Sequence, residues 1–459
     1  MNVTLPGSTY GRTCASYLDR LKLFPDADGV VFGGTDYSYA DLRAEIDSWR
    51  TYLDECGVTS GNVVTLEGTW SFGLCAALLT LMERRSSVIP LTPLPDAKRA
   101  EFLDISQAEV IVRIDDDGTR HCELTGVQAD HEYYRQLRAL HRPGLVLFSS
   151  GTTGRSKAAV LDFAKVIARY GEPKTGQRIM SFLNHDHIGG LNTMLHTLSQ
   201  GGALITVADR TPDSVFATIE QHRVEVLPTT PTFLNILLVS GALRRYDTSS
   251  LKLITYGTEP MPQRTLRQLK AELPHVRLKQ TYGLSELGIL PTKSRSDDTL
   301  WIKLGDQGFQ HKIIDNVLWI RSDMAMLGYL NAPAPFDEDG FFNTDDIVKV
   351  DGEWVHILGR RSEIINVGGE KVYPTEIENV LLGLNNIAEA TVTGIPSHIT
   401  GMAIKATVQL AEAEDPRLVR KRIRKHCLGL LEPFKVPALV EVTTEAQHGE
   451  RFKKIRRAA

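Results

Sequence analysis

Up to Tyr256 the chain carries short apolar runs at residues 62–66, 87–90, 110–114, 145–148, 203–207, 224–228 and 251–256. Each has the length of a strand, and a continuous apolar run of that length fits a strand covered on both faces. Between the runs lie stretches whose apolar positions repeat at helical spacing, among them 39–56, 214–222 and 263–273. Alternation of buried strands with amphipathic helices predicts an α/β fold with mixed, largely parallel sheets flanked by helices.

From about Trp301 the pattern changes. Short strands are expected at 312–315 and 317–321, followed by a turn-rich stretch at 331–340. Two more, at 347–350 and 354–358, flank Asp351-Gly352, a pair suited to a tight hairpin. This predicts a β-rich subdomain. After Gly359-Arg360 comes a segment with its own rhythm: a helix over 375–384 with Ile377, Val380, Leu381 and Leu384 on one face, and strands at 388–395 and 403–410. A chain of 459 residues exceeds the roughly 100–200 of an ordinary domain. The expected division is therefore a large domain over 1–359 and a small α+β domain over 360–459.

Composition narrows the partners. A hydrophobic share of 42% with 24% charged residues is that of a soluble globular protein, and a net charge of −4 offers no general attraction to nucleic acid. The five cysteines, Cys14, Cys56, Cys75, Cys122 and Cys427, are scattered without CxxC spacing, so neither a disulfide framework nor a zinc site is expected and a cytoplasmic location fits. The N-terminus lacks an apolar signal region. The most apolar helical stretch, 72–82, falls far short of the roughly 20 residues of a membrane span, so integral membrane association is not expected.

Four clusters carry candidate chemistry. In LVLFSSGTTGRSKAAVL, residues 145–161, a strand runs into Ser149, Ser150, Gly151, Thr152, Thr153 and Gly154, with Lys157 three residues on. Hydroxyls, glycine amides and an ammonium together suit a polyphosphate, although the spacing is not that of a Walker A loop, and a plain turn can share the composition. QTYGLSELG, 280–288, places Tyr282, Gly283, Ser285 and Glu286 within five residues: an aromatic face for a purine, a hydroxyl for a phosphate oxygen and a carboxylate for Mg²⁺, or else a loop with a helix cap. FFNTDD, 341–346, ends in Asp346, whose carboxylate can accept both hydroxyls of a ribose; otherwise it is a hairpin end. The fourth is GRRSEIINVGGEKVYPTEIE, 359–378, a basic start leading to a helix with Pro374 in its first turn.

The order SSGTTGRSK, HIGGL, TYGLSE, FFNTDD, GRRSEIINVGGEKVYPTEIE and KKIRR resembles the adenylate-forming superfamily of acyl- and aryl-CoA ligases, peptide-synthetase adenylation domains and luciferases. The resemblance runs from about Leu21 to Arg457. It implies an ATP-dependent ligase in which a large domain binds ATP and a carboxylic acid while a small domain rotates between two half-reactions. Ser149, Ser150, Gly151, Thr152, Thr153, Gly154 and Lys157 would embrace the β- and γ-phosphates. Gly257, Thr258 and Glu259 would flank the adenine, with Tyr282 and Gly283. Ser285 would touch the α-phosphate, Glu286 would hold Mg²⁺, and Asp346, assisted by Arg360, would bind the ribose. Lys454 best matches the lysine that meets the substrate carboxylate, because residues 454–457 fit K-I-x-R, but the adjacent Lys453 leaves the choice between them open.

The resemblance also implies that His187, Gly189, Gly190, Phe233 and Gly288 line the acid pocket, with His185 to His187 set beside a Gly-Gly bend. Gly368 and Gly369 would let a pantetheine thread past the backbone, either that of CoA or that of an acyl carrier protein. The sequence departs from the family at several places: Ser156 and Ala158 replace Pro and Gly, Asp345 replaces the glycine of T-G-D, and Ser362 stands at the hinge. The expected function is therefore activation of a small carboxylic acid to an acyl-adenylate followed by transfer to a thiol, CoA above all. A carrier-protein or amine acceptor is the first alternative. A non-catalytic acyl or nucleotide sensor is the second, favoured if neither lysine reaches the site.

Overall fold

The computed structural model describes residues 7–149, 155–171, 175–207, 209–305, 308–449 and 451–454. Ser150, Gly151, Thr152, Thr153 and Gly154 of the first cluster lie outside the described residues. The apolar runs become the inner strands of two sheets. One contains Gly144–Ser149, Ser87–Leu91, Val63–Glu67 and Val110–Ile114 in that order; the other contains Leu253–Tyr256, Val226–Thr229, Arg178–Met180 and Ala203–Ile205. Neighbours within each set run parallel. Val63–Glu67 and Ser87–Leu91 are buried at every position, as strands covered on both faces must be.

Both sheets contain a point where the chain reverses its direction of travel across the sheet. In the first, Val63–Glu67 has Ser87–Leu91 on one side and Val110–Ile114 on the other. In the second, Arg178–Met180 lies between Ala203–Ile205 and Val226–Thr229. Such reversals open a crevice at the carboxyl ends of the strands, where ligands bind in open α/β sheets. The two crevices adjoin. The Trp70 indole N–H donates to Leu183 O at 2.8 Å, and the Thr92 hydroxyl donates to Asp186 Oδ2 at 3.1 Å, joining loops of the two sheets.

The β-rich part is an antiparallel sheet that includes Phe309–Ile314, Val317–Ser322, Phe342–Asp351 and Trp354–Arg360. FFNTDD is therefore mostly the start of a ten-residue strand rather than a hairpin end, and an irregularity in register at Ile347/Val348 lets that long strand bend. Residues 282–290 form a small hairpin, Tyr282–Leu284 against Gly288–Leu290, in place of a loop with a helix cap. A Cβ on Gly283 would lie 2.6 Å from Ile289 Cδ1, so the strands can approach this closely only with glycine there.

From Ile365 onward the chain builds a separate small core, with Ile377, Leu381, Val392, Ala406 and Ile423 at its centre. Its sheet contains Ile365–Val367, Glu370–Val372, Ile387–Ser397, Gly401–Leu410 and Leu439–Thr443, with helices Pro374–Leu381 and Pro416–Leu428 against it. It contacts the larger part through Arg264 Nη1, which donates to Leu382 O at 2.6 Å, and through an Asn235 amide bond to Ala388 O. No helix among the described residues is long and apolar enough to cross a membrane.

Candidate active site

The C-terminal segment that carries both candidate lysines folds back as a tight turn against the reversal crevice of the second sheet. Gly449 N–H donates to Lys453 O at 3.0 Å, and Phe452 N–H to Gly449 O at 2.9 Å. His448 and Lys454 close the turn as an antiparallel bridge. Phe452 has φ +51°, a left-handed conformation uncommon for a bulky side chain. That twist fixes which way the next two residues point, and consecutive residues of an extended segment face opposite sides. Lys453 points into the crevice. Lys454, the better match to the family pattern, points back into its own domain, where its ammonium pairs with the buried Glu378 carboxylate at 2.7 Å. Of the two lysines that the sequence left open, Lys453 lines the cleft with His187 and Arg451, while Lys454 is engaged by Glu378.

Burial, reinforced by Arg451 and Arg360, pushes the half-buried Lys453 ammonium down to about 8, against the opposing pull of Glu259 and Glu286. Around it the cleft is lined by Phe182, Leu183, Asn184, His187, Arg210 and Thr258, with Arg451. His187 caps helix Ile188–Ser199, its Nδ1 accepting the Gly189 N–H at 3.0 Å. Burial first, then Lys453 and Arg451, hold this imidazole well below its usual range, so it stands neutral at pH 7. Arg451 pairs with the buried Asp186 at 2.6 Å, while Asp186 Oδ1 is buried without a hydrogen bond among the described residues.

The glycines here play different parts from those expected. Gly189 and Gly190 form the first turn of the helix rather than a bend. A Cβ on Gly190 would lie 2.0 Å from Asn184 O, so glycine lets the helix pack on the preceding loop. Gly288 sits in the small hairpin with φ +78°, packed on Met324. Gly257 is buried where a Cβ would meet Thr281 Oγ1 at 2.6 Å. Phe233 is fully buried, its ring 4.4 Å from that of Phe182, one shell behind the cleft. Thr258 and Glu259 do reach the site. Thr258 has φ +74° and a buried hydroxyl with no hydrogen bond among the described residues, and Glu259 accepts from Thr232 N–H at 2.7 Å and from Lys454 N–H at 3.4 Å.

On the nucleotide side, Asp346 is buried and accepts from the Tyr282 hydroxyl at 2.5 Å, with Arg360 at 3.6 Å. Tyr282 thus uses its hydroxyl to orient the carboxylate assigned to the ribose. Burial pushes Asp346 up to about 6, although Arg360 and Tyr282 pull the other way. Asp345 has φ +61°, a conformation that favours glycine but that Asp visits. Its carboxylate accepts from Arg361 Nε at 3.1 Å and from Ser362 N–H at 3.0 Å, which accounts for the departure from T-G-D.

Glu286 is buried, and its Oε1 accepts from the Tyr329 hydroxyl at 2.8 Å and from Ser149 at 3.4 Å. Lys157 lies 5.4 Å above the Tyr329 ring. The structure therefore gathers Ser149, Lys157, Tyr282, Glu286, Asp346, Arg360 and Lys453, with Ser285 half-buried beside them. It does not bring in Gly368 and Gly369, which are exposed at the tip of the hairpin formed by Ile365–Val367 and Glu370–Val372. Sequence reasoning missed Tyr329, Arg210 and Arg451. Of these, only Arg451, next to the lysine pair, had a signal that could have found it.

Residues 19–330 match the AMP-binding enzyme family, and residues 376–453 match the AMP-binding enzyme C-terminal domain. The chain belongs to the adenylate-forming superfamily. An indoleacetate–CoA ligase of Aromatoleum aromaticum is 30% identical, with 91% of each chain covered. A medium/long-chain-fatty-acid acyl-carrier-protein ligase of Mycobacterium tuberculosis is 28% identical over 68% of this chain and 65% of that protein. The fold matches the crystal structure of an anthranilate CoA ligase in complex with anthranoyl-AMP, with a TM-score of 0.79, 16% identity and 95% of each chain covered. The adenylate-forming fold brings the lysine-bearing turn of the C-terminal part against the larger part of the chain.

Proposed function

We propose that this adenylate-forming enzyme is an AMP-forming acid–thiol ligase. It activates a small carboxylic acid with ATP and then passes the acyl group to a thiol, that of CoA. The observation that supports the reading is the position of Lys453, which lines a cleft with Phe182, His187, Thr258 and Arg451.

In the first half-reaction a carboxylate oxygen bonds to the α-phosphorus and the bond to pyrophosphate breaks. Two anions must approach, and Lys453 offsets the negative charge as it builds. Asp346 accepts from the ribose hydroxyls, and Tyr282 holds it in place. Lys157, and the glycine- and hydroxyl-rich residues that follow Ser149, hold the outgoing phosphates. Neutral His187 borders the acid without adding a charge. In the second half-reaction a thiolate bonds to the acyl carbon and AMP leaves; Gly368 and Gly369 are assigned to the pantetheine path once the C-terminal part has turned about residues 360–362.

Glu286 fits a Mg²⁺ ligand. Both its described hydrogen bonds go to Oε1, and among the described residues no cluster of three or more metal-binding side chains occurs, so phosphate oxygens and water would complete the shell. Mg²⁺ would supply neutralisation of phosphate charge. A carrier protein as acceptor is the second reading, favoured by the carrier-protein ligase among the relatives. A sensor is disfavoured because a lysine does enter the cleft.

The test is acid-dependent ATP–pyrophosphate exchange across a panel of aryl, arylalkyl and short alkyl acids, followed by addition of CoA or a holo carrier protein. Exchange with at least one acid and thioester formation with CoA are expected. Exchange with none would overturn the reading, and transfer to the carrier alone would replace CoA.

A further inference from the structure

We propose that Phe452 is the docking anchor that delivers Lys453 to the cleft, a positioning residue for adenylation; this rests on the ligase reading above. The ring projects from the C-terminal turn into an aromatic notch of the larger part. Its centroid lies 5.4 Å from Phe182 at an interplanar angle of 43°, and 5.4 Å from Phe233 at 85°. Arg210 covers it at 5.6 Å, and His448 of the same turn stacks on it at 5.1 Å. Phe182 and Phe233 belong to the core of the larger part, and Phe452 packs against that core from outside.

Three features separate this residue from ordinary packing. Its left-handed backbone, φ +51°, is held by the hydrogen bonds that close the turn, and a bulky residue stays in that conformation only where its surroundings over-determine it. Its neighbours Arg451 and Lys453 both line the acid cleft, so seating the ring sets the frame of the functional side chains on either side. Phe182 is shared between the notch and the cleft, so the acid and the anchor meet the same ring. The polar contacts of the turn, such as Arg451 with Asp186, can be exchanged for water when the segment withdraws. An aromatic ring gains its edge-to-face partners only when seated.

The test uses the full-length enzyme with Phe452→Ala, Phe452→Gly and Phe452→Tyr. Exchange kinetics read adenylation, thioester formation from supplied acyl-adenylate reads the second step, and amide hydrogen exchange over residues 448–454 reads docking without reference to activity. Phe452→Ala should lower kcat for exchange about tenfold to a hundredfold with KM for ATP little changed. It should spare the second step and speed amide exchange in that segment. Phe452→Gly, which removes ring and strain together, should behave like Phe452→Ala, and Phe452→Tyr should restore function. Retained exchange in Phe452→Gly, equal losses in both half-reactions, or unchanged protection of 448–454 would each overturn the anchor. Absence of exchange in the wild type would instead strike the ligase reading, while the protection data would still judge the docking.

Discussion

Two turns of the C-terminal part invite comparison. The turn bearing Lys453 is held from both sides: Arg451 and Phe452 grip the larger part, while Lys454 and His448 grip Glu378 and Glu389 of its own domain at 2.7 and 2.6 Å. The turn bearing Gly368 and Gly369 is exposed. Its φ values are +60° and +94°, Asn366 Oδ1 accepts the Gly369 N–H at 2.9 Å, and a Cβ on Gly369 would meet nothing within 4 Å. The left-handed backbone is reason enough for glycine at both positions. What the contrast teaches is that one arrangement of the two parts seats one turn and leaves the other in solvent. This structure has the lysine-bearing turn seated against the larger part and the glycine-bearing turn exposed.

The largest effect that sharpens this contrast is expected within the lysine pair. Lys453→Ala should reduce acid-dependent pyrophosphate exchange by about 10²–10³, the scale of losing one preorganised group aimed at transition-state charge. Lys454→Ala should cost less, because it loosens the turn without removing the cation from the cleft. Stopped assays of both variants with supplied acyl-adenylate should show the second step intact. A larger exchange defect in Lys454→Ala would reverse the assignment.

A smaller effect is expected from pH. On the proposed role of Asp346, pushed up to about 6, as the carboxylate that accepts from the ribose, kcat/KM for ATP in the exchange reaction should fall as pH drops below about 6. Lys453, pushed down to about 8, acts as an ammonium, so the same quantity should fall as pH rises above about 8. Each limb should approach about tenfold per pH unit, since kcat/KM reports the ionisations of the free enzyme. The alkaline limb should be lost in Lys453→Ala while the acid limb stays.

Much of the scaffold was legible because buried parallel strands leave continuous apolar runs; Val110–Ile114 appears with the same ends that the sequence suggested. Ser149, Lys157, Tyr282, Glu286 and Asp346 stood out because hydroxyls, glycines and carboxylates cluster locally, and the structure links Glu286 with Ser149 and Asp346 with Tyr282. What stayed hidden depended on approach between distant segments. Gly189 and Gly190 read as a bend by local propensity, yet close packing against Asn184 O holds them in a helix. Which of Lys453 and Lys454 faces the cleft depends on the backbone at Phe452, whose φ of +51° no spacing rule carries. Tyr329 sits in an ordinary apolar stretch, and its role is visible only once its hydroxyl meets Glu286.

The central claim is that the two turns serve the site one at a time. Cysteines placed by Asn235→Cys and Ala388→Cys, at a contact between the two parts, can be joined by a short bis-maleimide, and product can then be followed in a single turnover. The joined enzyme should form and retain acyl-adenylate at the wild-type rate but make no thioester, whereas the unjoined double variant makes both. Thioester formation by the joined enzyme at the unjoined rate would contradict the account.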